Sequence, residues 1–240
     1  MLLLIFNEEQ MFELSNYNFV FFDFDGLLVN TEHLHFEAYK NMCLSRGFIL
    51  PWNFLKYCSI AHTSAEGLRK EIYREFPALY EQEPNWSVLY EEKKEAYKNL
   101  LDLGTVQLMP GVEQLFFQLE SLKIPSCVVT NSFKKQIDRI REQLPILEKI
   151  PYWVTREDYK APKPSPDPYL VAKSTYALPT DRIIGFEDSI RGMQALVDAG
   201  IEGIVISSCL DESMQKQLNN VVWKHSFLEL LGIDKEPFLF

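Results

Sequence analysis

The segment Phe19-Val20-Phe21-Phe22-Asp23-Phe24-Asp25-Gly26 constrains this chain more than any other. Its aromatic and β-branched residues suit a buried strand, here the central one, and Asp25-Gly26 closes it with a turn. Asp23 and Asp25 lie two apart, so on an extended backbone their carboxylates share a face and repel unless a cation or a shared proton intervenes. A divalent metal resolves the repulsion. The alternative is a strand that merely ends in a turn-forming Asp-Gly.

Apolar spacing predicts a helix from Thr31 to Arg46, stopped by Gly47, and further helices over Ala65 to Phe76 and Trp86 to Leu103. No strand pattern lies between Thr31 and Leu108, and Pro51, Pro77 and Pro84 punctuate the stretch. After Pro110-Gly111 the chain alternates: helix Val112 to Leu122, strand Ser126 to Thr130, helix Phe133 to Leu144 and a short strand near Trp153-Val154. It continues with helix Tyr169 to Tyr176, strand Arg182 to Phe186, helix Ile190 to Ala199 and strand Gly203 to Ser207. Such alternation implies an α/β fold, a doubly wound parallel sheet with a Rossmann-like core. The expected division is a core of residues 1–30 and 109–240, with an all-helical cap of residues 31–108 inserted into it.

Ligands of open α/β sheets bind beyond the carboxyl ends of the strands. Asp23 and Asp25, Thr130 and Asn131, and Glu187 and Asp188 each close an apolar strand, so three strands aim polar groups at one crevice. The loop Lys160 to Pro168 holds a single lysine, Lys163, among four prolines that stiffen it. A formal net charge of −10 repels nucleic acid and anionic membranes, so any affinity for phosphate must be local. Cys43, Cys58, Cys127 and Cys209 have no zinc-like spacing and read as reduced, buried thiols. Leu2 to Phe6 is apolar but runs into Glu8-Glu9 without a basic leader, and reads as an extension, not a signal peptide. No apolar run approaches the roughly 20 residues of a membrane span, and a monomeric cytoplasmic protein is expected.

Four segments resemble, in order, the motifs of haloacid dehalogenase-like hydrolases: residues 21–32 from Phe21 to Glu32, Val128-Val129-Thr130-Asn131-Ser132, Pro162 to Asp167, and Gly185 to Gly192. The resemblance spans about Phe19 to Ser207 and is closest to β-phosphoglucomutase-like phosphatases. It implies Asp23 as nucleophile toward phosphorus, Asp25 as general acid and base, and Mg2+ held by Asp23, Asp188, the main-chain carbonyl of Asp25 and, directly or through water, Glu187. Lys163 would offset the charge of Asp23 and the phosphate, while Thr130 would hydrogen-bond a phosphate oxygen beside Asn131 and Ser132. His35 aligns with a histidine near the active site of β-phosphoglucomutases, and His62 is a candidate substrate contact in the cap loop.

Blander readings stand beside these. Lys163 can be a solvated loop lysine, Thr130 and Asn131 a strand end and helix cap, and Glu187-Asp188 an acidic pair favoured by a helix N-terminus. His35 can be a polar surface residue, and Glu91 to Glu95, Lys93 included, a solvated helix face. Asn30 stands where the family usually has Asp, and Ala61 where the cap loop usually has Gly, so the hinge and cap loop depart from the pattern. The resemblance implies hydrolysis of a small phosphorylated metabolite, a sugar phosphate or nucleotide. A sugar phosphomutase is the alternative, although Ala61-His62-Thr63-Ser64 lacks the arginine of that loop in β-phosphoglucomutases. A catalytically silent binding protein on the same scaffold, or a dehalogenase, completes the set.

Overall fold

The computed structural model describes residues 12–61, 65–104, 106–209 and 221–233. Six parallel strands form one sheet: β1 (Phe19–Phe22), β2 (Ser126–Val129), β3 (Tyr152–Val154), β4 (Ile183–Glu187), β5 (Glu202–Ile206) and β6 (Val222–Lys224), in the order β3-β2-β1-β4-β5-β6. All pairings are parallel, and β1 lies between β2 and β4, with Phe21 opposite Cys127 on one side and Gly185 on the other. Alternate residues of β1 build both layers of the core. Val20 and Phe22 join the cluster with Val112, Leu115 and Phe227, while Phe19 and Phe21 join the one with Tyr169 and Leu196. A strand buried on both faces has no polar side to show, which explains its unbroken apolar run.

Helices cover the sheet: α6 (Val112–Leu122), α7 (Lys134–Gln143), α8 (Asp167–Tyr176), α9 (Ile190–Asp198) and α10 (Phe227–Leu230). Between β1 and α6 lies the inserted helical cap: α1 (Thr31–Ser45), α2 (Phe54–Ala61), α3 (Ala65–Glu75), α4 (Pro77–Gln82) and α5 (Trp86–Asp102). The cap has its own apolar cluster, with Tyr39, Met42, Tyr57, Ile72 and Leu89 buried. Tyr97 and Leu101 of α5 pack instead with the core. The two chain crossings between cap and core are tied together: the Asn30 N–H donates to the Gln107 carbonyl at 3.0 Å, and the Gln107 N–H donates to Asn30 Oδ1 at 2.8 Å. Asn30 thus serves the hinge through its amide oxygen.

Two short cap helices, α2 and α4, and the terminal pair β6 and α10 go beyond the sequence expectation. Pro77 was a punctuation mark in the sequence but begins α4, where its missing N–H costs nothing. The first strand is shorter than the apolar run. After Phe22 the chain turns, and the Phe24 carbonyl accepts N–H groups from Leu27, Leu28 and Val29.

Candidate active site

Asp23 stands at the carboxyl end of β1, its N–H still donating to the Phe186 carbonyl of β4 at 3.0 Å. The following turn needs Gly26, whose φ is +80° and whose absent Cβ would lie 2.4 Å from Asp188 Oδ2. No side chain fits there. The turn brings Asp25 back over the strand ends. Thr31, the first residue of α1, donates to Asp25 Oδ1 at 2.6 Å, and Ser132 donates to Oδ2 at 2.5 Å.

Lys163 reaches from its loop beneath these residues. Its buried ammonium donates to Asp23 Oδ1 at 2.5 Å, the Val129 carbonyl at 2.7 Å and Glu187 Oε1 at 2.7 Å. Its Nζ lies 4.8 Å from the ring centre of Tyr169, whose hydroxyl also donates to Glu187 Oε1. Asp23, Glu187 and Asp188 are all buried, and one oxygen from each lies within 4.8 Å of the others. Oε2 of Glu187 is buried and has no hydrogen-bond partner among the described residues.

Three carboxylates around one ammonium perturb one another. Burial, then Asp23, Glu32 and Glu187, hold the carboxyl of Asp188 well above the usual carboxylate range. Glu187 is pushed up to about 7 by burial, with Lys163 opposing. Burial disfavours charge on Lys163, but Asp23 and Glu187 outweigh it and raise its pKa. Asp25, half-buried at the pocket floor, is raised to about 6 by loss of water, against the hydrogen bonds from Ser132 and Thr31. The groups below the pocket thus sort into a stable cation, a crowded acid cluster and one carboxyl poised to hold a proton near neutral pH.

A cavity of about 820 Å³ opens above them, with Tyr39, Tyr57, Trp86, Tyr90 and Lys93 of the cap on one wall and Asn131, Ser132 and Arg191 of the core on the other. A family profile described as haloacid dehalogenase-like hydrolase matches residues 20–206. The chain belongs to that family. Its relatives include the phosphorylated carbohydrates phosphatase of Thermotoga maritima, 28% identical over 77% of this chain and 82% of that protein. The probable pseudouridine-5'-phosphatase of Drosophila melanogaster is also 28% identical, over 77% of this chain and 79% of its own length. Among solved structures, the putative beta-phosphoglucomutase of Thermotoga maritima superposes with a TM-score of 0.66 at 25% identity, covering 90% of this chain and 97% of that one.

In this haloacid dehalogenase-like hydrolase the strand-end residues Asp23, Asp25, Thr130, Asn131, Glu187 and Asp188 meet at one crevice with Lys163 and Ser132. Several are engaged with one another. The Ser132 N–H donates to Thr130 Oγ1 at 3.0 Å, and Asn131 Oδ1 accepts the Lys163 N–H at 3.2 Å and the Tyr159 hydroxyl at 2.7 Å. Asn131 therefore braces the lysine loop. His62 lies outside the described residues. His35 lines the pocket, stacked on Tyr97 with ring centres 4.0 Å apart, and Lys93 Nζ donates to its Nδ1 at 2.6 Å.

Lys93 corrects the reading of its helix as a wholly solvated face. It is 5% exposed, lies over the rings of Tyr39 and Tyr97, and is lowered to about 8 by burial. Its spacing carried the signal: Leu89, Lys93 and Tyr97 recur every four residues along the buried stripe of α5. Tyr169, three residues beyond Pro166, is the other partner that motif reading omitted; it touches both Lys163 and Glu187. Among the described residues no helix is long and apolar enough to cross a membrane.

Proposed function

We propose that this chain is a Mg2+-dependent phosphatase that hydrolyses a small phosphorylated metabolite, a sugar phosphate or a nucleotide, through an aspartyl-phosphate on Asp23. The observation that carries the reading is one arrangement. Asp23 is held by Lys163 at 2.5 Å beside Glu187 and Asp188, while Asp25 is held separately by Thr31 and Ser132 at the floor of the same pocket.

The residues fit a hard divalent cation. Asp23, Glu187 and Asp188 supply carboxylate oxygens, one oxygen of Glu187 has no partner among the described residues, and a single ammonium leaves the cluster short of positive charge. Those three residues and the main-chain carbonyl of Asp25 would hold Mg2+. When bound, the cation neutralises the crowded carboxylates and the phosphoryl oxygens.

The chain's own groups then divide the work. Asp23 attacks phosphorus, the ester P–O bond breaks, and Asp25, protonated in part near neutral pH, gives its proton to the departing alkoxide. Asp25 next takes a proton from the water that attacks the aspartyl-phosphate, which returns Asp23 and releases phosphate. Lys163 stays charged and stabilises Asp23 and the phosphoryl group, while the Thr130 hydroxyl and the amides near Asn131 supply further donors. His35 lines the substrate side of the pocket, and His62 is kept as a candidate substrate contact, within a cap taken as residues 31–108.

The leaving group faces a roomy, aromatic cap wall, which suits a ring-bearing alcohol such as a sugar or nucleoside. The similarity to a phosphorylated carbohydrates phosphatase of Thermotoga maritima and a probable pseudouridine-5'-phosphatase of Drosophila melanogaster supports the same substrate class. We read the enzyme as monomeric and cytoplasmic. Release of inorganic phosphate from an aryl phosphate and a panel of sugar phosphates and nucleotides, with Mg2+ and then with chelator, tests the proposal. Activity that requires Mg2+ supports it; no release from any substrate, or release indifferent to chelator, overturns it.

A further inference from the structure

Cap and core also touch through two thiols that the proposed reaction does not use. Cys58 of α2 is fully buried, and Cys209, just after β5, is half-buried and packs against the cap's apolar cluster, of which Cys58 is a member. Each thiol is the other's strongest electrostatic neighbour: Cys209 is the first cause of the raised pKa of Cys58, and Cys58 of the lowered pKa of Cys209. Cys209 is held in place from the core side: its N–H donates to Ser207 Oγ at 3.3 Å, and its sulfur lies 3.9 Å from Ser208 Oγ. Among the described residues no His, Asp, Glu or third Cys joins them in a metal-sized group. A pair of thiols across the boundary of cap and core, with no further ligand beside them, is a site for oxidation, not for zinc.

We propose that Cys58 and Cys209 form a redox modification site at which a hydroperoxide closes a disulfide between cap and core. Cys209 is the reacting partner because it reaches the surface, and the neighbouring Cys58 lowers its thiol pKa. Its thiolate attacks one peroxide oxygen; the S–O bond forms, the O–O bond breaks, and the departing oxygen takes a proton. Sulfur is oxidised to sulfenic acid and the peroxide is reduced. Cys58 then attacks the Cys209 sulfur, its proton leaves with the hydroxyl as water, and the S–S bond forms. In sum two thiols and one hydroperoxide give a disulfide, an alcohol or water, and water. Both side chains belong to one packed cluster at the boundary of cap and core, and the bond requires their sulfurs to close to about 2 Å by side-chain rotation.

The cap is otherwise linked covalently to the core at the two chain crossings beside Asn30 and Gln107, while Tyr97 and Leu101 of α5 pack on the core. A third, covalent tie holds the cap over a pocket whose walls come from both parts, and slows substrate access and product release. Only the turnover readout rests on the phosphatase reading. The reduced full-length chain is treated with hydrogen peroxide and digested with trypsin without reductant. The expected product joins peptides 57–69 and 192–216, each of which carries one cysteine. Turnover should fall about tenfold as this species accumulates and return with dithiothreitol. Cys58→Ser should keep its turnover under peroxide and trap Cys209 as a sulfenic acid that dimedone labels; Cys209→Ser should leave Cys58 unoxidised. Recovery of both residues as free thiols while Cys43 or Cys127 is oxidised overturns the proposal, as does undiminished turnover of cross-linked enzyme. Peptide mapping does not depend on activity, so a chain inert toward phosphate esters would refute the proposed function and leave the disulfide to be judged by mass.

Discussion

Asp23 and Asp25 leave one strand end into different company, and their removal should fail differently. On the proposed mechanism Asp23→Asn keeps the size but removes the nucleophile, so losses of several orders of magnitude are expected with any substrate. Asp25→Asn keeps the nucleophile and loses the proton donor, which costs roughly 10²–10⁴-fold, and less where the leaving group needs no proton. An aryl phosphate should therefore give Asp25→Asn a burst of aryl alcohol followed by slow turnover, because the phosphoenzyme waits for a base. Phosphate found on Asp25 by mass spectrometry, or a full burst from Asp23→Asn, would reverse the assignment. Lys93 makes a separate test of burial. Its pKa falls from 10.5 to about 8, so at neutral pH the buried charge costs up to about 3 kcal/mol. A base depressed in the folded state binds fewer protons than in the unfolded chain, so this cost is full below pH 8 and fades as pH rises toward 10.5. Lys93→Met should melt at a higher temperature than the parent at pH 7, with the gap closing near pH 10, although His35 loses a donor. Equal or lower melting temperatures at pH 7 would show that the cation is not strained.

The turn from β4 into α9 carries both Glu187 and Asp188, and its geometry depends on a missing side chain. Ser189 caps α9 by accepting the Gly192 N–H at 3.2 Å. A Cβ on Gly192 would lie 1.8 Å from Glu187 Oε2. Helix propensity alone would make Gly192→Ala favourable by about 1 kcal/mol. The steric demand wins: overpacking typically costs 1–3 kcal/mol, and a displaced Glu187 also loses Lys163 and Tyr169. Gly192→Ala should unfold at lower urea and bind Mg2+ about tenfold more weakly by calorimetry; unchanged values for both would mean that Glu187 has room to move. This element was visible in the sequence because strand, acidic pair and glycine are contiguous. Elements with long, regular patterns were legible for the same reason: Val112–Leu122 follows the expected bounds, and the α1, α3 and α5 bounds differ by one residue. The short α2 and α4 were not, since 8 and 6 residues offer too few turns for a periodicity to stand out. Lys93 was missed because charge was read before spacing. The contact of Cys58 with Cys209 has no sequence signal at all, being made by tertiary packing between cap and core.

At the scale of the whole molecule, the fold gathers negative charge where a folded domain would ordinarily avoid it. The chain carries a formal net charge of −10, and the strand ends of β1 and β4 bury Asp23, Glu187 and Asp188 around the single ammonium of Lys163. Folding must work against that crowding, because removing a carboxylate from water disfavours its charge and each neighbour adds to the cost. The raised carboxyls of Glu187 and Asp188 show the sign. An acid raised in the folded state binds more protons there than in the unfolded chain, so its stability contribution is full below the ordinary carboxylate pKa, near 4 to 4.5, and is lost as pH climbs through the folded value, about 7 for Glu187. Without divalent cation the melting temperature should therefore fall between about pH 5 and pH 8. On the proposed reading saturating Mg2+ binds only the folded, deprotonated cluster, so it should raise the melting temperature most at the upper end of that range and flatten the profile. Asp188→Asn separates cation binding from general salt effects. It removes one crowded charge, so the cation-free variant should melt above the cation-free parent at pH 8, while Mg2+ should stabilise it far less. Differential scanning calorimetry with chelator, with Mg2+ and with matched NaCl measures all three. A parent insensitive to Mg2+ at pH 8, or an Asp188→Asn variant stabilised as strongly as the parent, would mean that the acidic cluster is not where the cation binds.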